Sequence, residues 1–184
     1  MANPIADSTT QLLEQMDAQV RAEAERQVAE SSVRAPGFEL SLAEEINLAK
    51  AVKAVAAVDG LSREELTGLK FLMIMSALPY DVQQHVLGFD TSGVSVEHAS
   101  ELFPPGSQKA CYLLSGATTV AAMDGLSQEE EATARELGER LKLEAKLVNV
   151  LIAEARATGR AMSKGDHELV DELKRLRAAL FGYV

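Results

Sequence analysis

Tryptophan is absent from this chain, and aromatic residues of all kinds make up only 4% of it. A core must therefore be assembled from small and medium aliphatic side chains, chiefly Ala, Leu and Val, rather than from large rings. Cysteine occurs once, at Cys111. That excludes an internal disulfide and predicts a reducing, cytoplasmic setting. No apolar run approaches the ~20 residues that span a bilayer. The longest, Phe71-Leu-Met-Ile-Met75, predicts a buried helix segment. The opening Met1-Ala-Asn-Pro-Ile-Ala-Asp7 lacks the basic flank and apolar stretch of a signal peptide, so no leader is expected. Clustered bases are missing too. With a formal net charge of −10 the chain would repel nucleic acid and anionic membranes, and neither binding partner is expected. Acidity favours divalent cations or basic protein surfaces as partners.

What is present favours helix. The 184 residues, 47% of them hydrophobic, suffice for one sizeable core. Glu, Ala, Leu and Arg dominate and β-branched runs are short. Helix starts are marked at Ser8…Gln11, Ser41…Glu44, Ser62…Glu65, Ser127…Glu130 and Ser163…Asp166. In each, a hydroxyl can cap a first-turn amide while a side chain three residues later reaches back. Leu42, Ile46, Ala49 and Ala56 share one face of a helix. Leu169, Leu173, Leu176 and Leu180 make a narrow seam on a final helix. Pro79 opens a short helix over 79–88, and 89–106 reads as a linker with room for a short helix near Val94–Leu102.

The first 40 residues stand apart. Residues 8–31 predict one helix, with Leu12, Met16, Val20, Ala24 and Val28 stepping by four, broken after Ser31 by Ser-Val-Arg-Ala-Pro-Gly37. Two readings stay open: a partly frayed arm, or an arm that packs on a second subunit or another protein.

An internal repeat organises the remainder. Val55-Ala-Ala-Val-Asp-Gly-Leu-Ser-Arg-Glu-Glu65 matches Val120-Ala-Ala-Met-Asp-Gly-Leu-Ser-Gln-Glu-Glu130 at a constant offset, 124 − 59 = 65. Leu78, Val82 and Val86 fall opposite Leu143, Leu147 and Leu151. The spacing predicts that a helix runs up to Asp, Gly ends it in the left-handed region, Leu turns inward, and Ser with the second Glu caps the next helix. Capping explains every residue of Asp-Gly-Leu-Ser-x-Glu-Glu except the Asp, which would face the negative end of a helix dipole.

At these residues the chain resembles the TerB family, the tellurite-resistance TerB-like helical domains. Their mark is an Ala-rich helix ending in Ala-x-Asp-Gly, then a turn and a helix opening with acids. Here it appears as Ala56-Ala-Val-Asp-Gly60…Glu64-Glu65 and Ala121-Ala-Met-Asp-Gly125…Glu129-Glu130. The resemblance covers about 41–158. It implies an all-helical duplicated fold, divalent-metal binding by the acidic motif residues, and a bacterial stress-response setting. The linker at 89–106, the arm and the Leu-seamed final helix depart from the simplest family pattern.

Asp59 with Glu64 or Glu65, and Asp124 with Glu129 or Glu130, are the candidate ligands. Their oxygens suit Ca²⁺ or Mg²⁺ better than Zn²⁺. The alternative is that these residues only cap helices. The loops are not EF-hands, because Leu61 and Arg63 occupy the third and fifth positions from Asp59. His85, His98 and His167 show no zinc spacing. Cys111 reads as a small core residue, and no nucleophile elbow or phosphate loop appears.

The expectation is thus an all-α bundle, with an arm over 1–40 and a TerB-like domain over 41–184. Repeat 1 covers 41–88, the linker 89–106, repeat 2 107–158, and the C-terminal helix 163–182. The function expected is non-enzymatic: cation binding in a stress response or, alternatively, a metal-independent scaffold. The scaffold would hold a protein partner or a second copy through the arm and the C-terminal helix.

Overall fold

The structure, a computed structural model, describes residues 2–31 and 39–181. The expected chain break over 32–37 and the last residue of the expected final helix lie outside them. Among the described residues the fold is all-α, with ten helices and no strand. They are α1 (Pro4–Gln15), α2 (Ala18–Glu30), α3 (Leu42–Ala56), α4 (Arg63–Met75), α5 (Tyr80–Gly88), α6 (Val96–Ser100), α7 (Gln108–Ala121), α8 (Gln128–Arg140), α9 (Ala145–Lys164) and α10 (His167–Phe181). None is long and apolar enough to cross a membrane.

The duplication extends to backbone detail. α4 and α8 start and stop 65 residues apart, and their N-caps Ser62 and Ser127 both close full capping boxes, with Glu65 and Glu130. Gly60 and Gly125 both have φ +110. Each stands in the turn before its capped helix, in a region that glycine enters without a Cβ clash. Past the second helix of each repeat, Ala77 and Lys142 share φ +53.

α3 and α7 are the central pair, packed on each other. Their shared face is buried through Ile46, Ala49, Val52, Leu113, Leu114 and Ala117. α4 packs on α7 as well as on α3, and α8 on α3 as well as on α7. These reciprocal contacts relate the two repeats as the halves of a two-fold assembly are related. Small residues allow the close approach: a Cβ on Gly116 of α7 would meet Val52 of α3 at 3.3 Å. Cys111 is fully buried in this core, and burial pushes its thiol up to about 12.

The N-terminal region is neither one helix nor free. Asn3 caps α1, and Asp17 caps α2 after the chain bends at Met16. Ser8 therefore lies inside a helix rather than at its start. Ile5, Thr9 and Leu13 of α1 and Ala24 and Val28 of α2 are buried against the bundle, while Val20 is exposed. The step-by-four stripe fails because it runs through the bend. The end of the chain differs in a similar way. Ser163 lies within α9, which Gly165 ends in the left-handed conformation, and Asp166 accepts from the Leu169 amide.

α10 folds back on α9. The Arg177 guanidinium grips Glu154 in a two-pronged pair at 2.6 and 3.1 Å, and the Phe181 ring meets Tyr112 edge-on at 5.8 Å. The leucine seam divides: Leu173 and Leu180 turn towards the bundle, Leu169 and Leu176 towards solvent. The inward stripe is instead Val170, Leu173, Arg177 and Leu180, at the 3.6-residue period.

Candidate functional site

The six candidate ligands separate into two groups. Asp59, Glu64, Asp124 and Glu129 are exposed, whereas Glu65 and Glu130 are buried at 2% and 3% exposure. α3 ends at Ala56 and α7 at Ala121, three residues before each Asp. The aspartates stand in the turn rather than at the last carbonyls, which weakens the dipole conflict expected of them.

The second Glu of each motif is committed to its cap. Glu65 Oε2 accepts from the Ser62 amide at 2.7 Å, and Glu130 Oε2 from the Ser127 amide at 2.7 Å. In return the Glu65 and Glu130 amides donate to the serine hydroxyls at 3.1 and 3.2 Å. Since α4 and α8 both lean on the central pair, the two capped ends meet, and the Glu130 carboxyl lies within hydrogen-bonding reach of Glu65. The structure thus brings together one carboxylate from each repeat.

A hard cation takes six to eight oxygens at a common centre. Among the described residues no group of three or more His, Cys, Asp or Glu could hold a metal ion. Four of the six candidates face water, and each of the other two has one oxygen engaged by a cap. His98 is a capping residue as well, accepting from the Ser95 amide at 3.1 Å. His85 lies 3.3 Å from the Ser8 hydroxyl.

A different surface feature was not anticipated. The run Phe71–Met75 is not a buried segment: only Met73 is fully buried, Leu72 is partly covered, and Phe71, Ile74 and Met75 are 50%, 61% and 38% exposed. α4 lies at the outside of the bundle, so a continuous apolar run must show part of its circumference to solvent. Tyr80, at the start of α5, adds a ring that is 71% exposed. Ile74 and Met75 also line an open groove of about 620 Å³ between the ends of α2 and α4 and the start of α5. Gln27, Glu30, Ser31, Ala77, Leu78 and Gln83 complete it.

The second repeat serves as an internal control. At the corresponding positions it places Glu136, Glu139, Arg140 and Ala145, all exposed. The same backbone surface is charged and solvated in one repeat and apolar in the other. Aligning the repeats residue by residue would have revealed this signal in the sequence.

Comparison with protein-family models, with curated proteins and with solved structures gives no match.

Proposed function

We propose that the protein is a non-enzymatic helical adaptor, built on a TerB-like duplicated unit, which holds a protein partner on its first repeat without a metal ion. The observation that carries this reading is the contrast between exposed Phe71, Ile74, Met75 and Tyr80 and their charged or small counterparts Glu136, Glu139, Arg140 and Ala145. Large apolar side chains grouped on a surface mark interaction sites. The groove beside them, with apolar Ile74, Met75, Ala77 and Leu78 facing polar Gln27, Glu30, Ser31 and Gln83, suits an amphipathic segment of a partner. The arm and α10 are packed on the bundle, so the contact surface is assigned to the α4–α5 corner rather than to them. The single buried Cys111 and the acidic composition support a reducing, cytoplasmic setting and argue against nucleic acid as the partner.

A photo-crosslinking residue at position 74 tests this, with position 139 as its matched control. A discrete adduct from position 74 alone supports the adaptor, and equal labelling at both positions removes it. Light scattering distinguishes a second copy from another protein.

The cation reading is the rival, and the meeting of Glu65 and Glu130 is the observation in its favour. Calorimetric titration with Ca²⁺, Mg²⁺, Mn²⁺ and Zn²⁺ decides between them. Saturable heat that is lost in Asp59→Asn/Asp124→Asn or in Glu65→Gln would replace the adaptor by a cation-binding protein. The stress-response role implied by the resemblance is tested by the genes neighbouring this one.

A further inference from the structure

Glu65 and Glu130 are corresponding residues of the two repeats, buried side by side where α4 and α8 begin. One oxygen of each is held by its own cap. Glu65 Oε1 is buried and receives no hydrogen bond. Two ionised carboxylates cannot satisfy one another, since both only accept.

Among the described residues no cation pairs with either carboxyl. On α3, Lys50 donates to Ser8 and Thr9, and Lys53 to the carbonyls of Val86, Leu87 and Phe89. On α7, Lys109 pairs with Glu44. On α8, Arg135 and Arg140 pair with Glu131 and Glu136. Arg63 and Lys70 on α4 are exposed, as are Lys146, Arg160 and Lys164 on α9, whose Arg156 pairs with Glu131. The exposed acids Glu64 on α4 and Glu129 and Glu139 on α8 bring no positive charge to the pair.

We propose that Glu65 and Glu130 hold one proton between them, so that the junction of the two repeats is fastened by a carboxylic acid–carboxylate hydrogen bond. The protonated carboxyl donates from its O–H to the facing carboxylate, which satisfies the orphaned oxygen. When the proton leaves for solvent, two buried negative charges face each other and the junction weakens. Burial first, and the Glu130 carboxyl second, push Glu65 up to about 7, against the opposing pull of the Ser62 cap. The sign follows from linkage. A carboxyl whose folded-state proton affinity is raised contributes stability that is complete below about 4.5, its ordinary value. That contribution is lost as pH rises through about 7. This inference is independent of the adaptor reading, because it concerns the buried end of α4 and not its exposed face.

The test uses the full chain. Carboxyl ¹³C resonances of the glutamates are followed by NMR over pH 4 to 9, and urea midpoints are measured over the same range. One glutamate carboxyl is expected to titrate near neutrality, with the midpoint falling as it does so. Glu65→Gln keeps the cap through its carbonyl oxygen and gives Glu130 a permanent N–H donor. It should flatten that fall and exceed the unsubstituted protein at pH 8, while Glu64→Gln, exposed, should leave the profile unchanged. If Glu65→Gln fails to fold, Glu130→Gln replaces it, and the NMR titration needs no variant. Glutamates that all titrate in the ordinary range, or a wild-type slope in Glu65→Gln, would overturn the proposal. So would a midpoint that millimolar Ca²⁺ raises at pH 8 but not at pH 5, since a metal rather than a proton would then join the pair.

Discussion

The Lys50 ammonium stands 5.0 Å from the centre of the Phe89 ring, wholly buried, with only the Ser8 and Thr9 hydroxyls, at 3.0 and 3.1 Å, as hydrogen-bond acceptors. Among the described residues no carboxylate pairs with it. Burial pushes it down to about 8, and its charge pulls neighbouring His85 down as well, second to that histidine's own burial. Lys53, three residues on, is better placed: it caps the end of α5, with carbonyl contacts at 2.6 Å to both Leu87 and Phe89.

Lys50 therefore carries an uncompensated charge. Below about 8 it is charged in both the folded and unfolded states, and its burial cost is present in full. Between about 8 and its ordinary 10.5 the unfolded chain binds the extra proton, so stability rises with pH across that window. Lys50→Met should raise stability at pH 7 by about 1–3 kcal/mol, after loss of the hydroxyl contacts, and abolish the alkaline rise. Urea denaturation at pH 7 and pH 10 measures both effects.

Gly159 of α9 crosses the end of α7 so closely that a Cβ would lie 1.9 Å from the Ala122 carbonyl oxygen. That oxygen is backbone and already accepts from the Gly125 amide, so it cannot swing aside. Gly159→Ala should cost about 3 kcal/mol or more. Gly88→Ala, where nothing lies within 4 Å, should be close to neutral. Thermal unfolding of the two variants provides the comparison.

Glu154 is 3% exposed and held by Arg177 and by the Thr158 hydroxyl at 2.8 Å. Removing only the cation strands a buried carboxylate. Arg177→Met should cost about 3–5 kcal/mol, whereas Glu154→Met together with Arg177→Met should cost much less. A double-mutant cycle, with limited proteolysis at the α9–α10 turn, reads the coupling and the release of α10.

Ala77 and Lys142 hold φ +53 at corresponding turns, a conformation that strains any residue with a Cβ. Ala77→Gly and Lys142→Gly should each stabilise by up to about 1 kcal/mol, the relief of strain outweighing the added freedom of the unfolded chain. Unequal responses would mean that the two turns differ in more than sequence.

Much of the architecture was readable because it is local. The Ser41, Ser62 and Ser127 boxes need only residues three apart, and all three close in the structure. The repeat spacing placed α4 and α8, and Pro79 the start of α5. Ser8 and Ser163 bear the same local mark, yet both lie inside helices. Capping signals compete, and Asn3 and Asp166 lie at the actual starts. Of the candidate ligands, a linear pattern sees six acids per duplicated motif pair as equals. It cannot tell that Glu65 and Glu130 turn inward while Asp59 and Asp124 face water.

By itself the chain's order of residues determined the helices, their duplication and their caps, because those depend on backbone sterics and on hydrogen bonds spanning a few positions. Tertiary packing alone decided that Glu65 meets Glu130, that Lys50 is entombed under α1, and that Phe71, Ile74 and Tyr80 face outward. Each of these depends on which helix covers which face. That is settled by burial summed over residues far apart in the chain, where no single spacing carries the information.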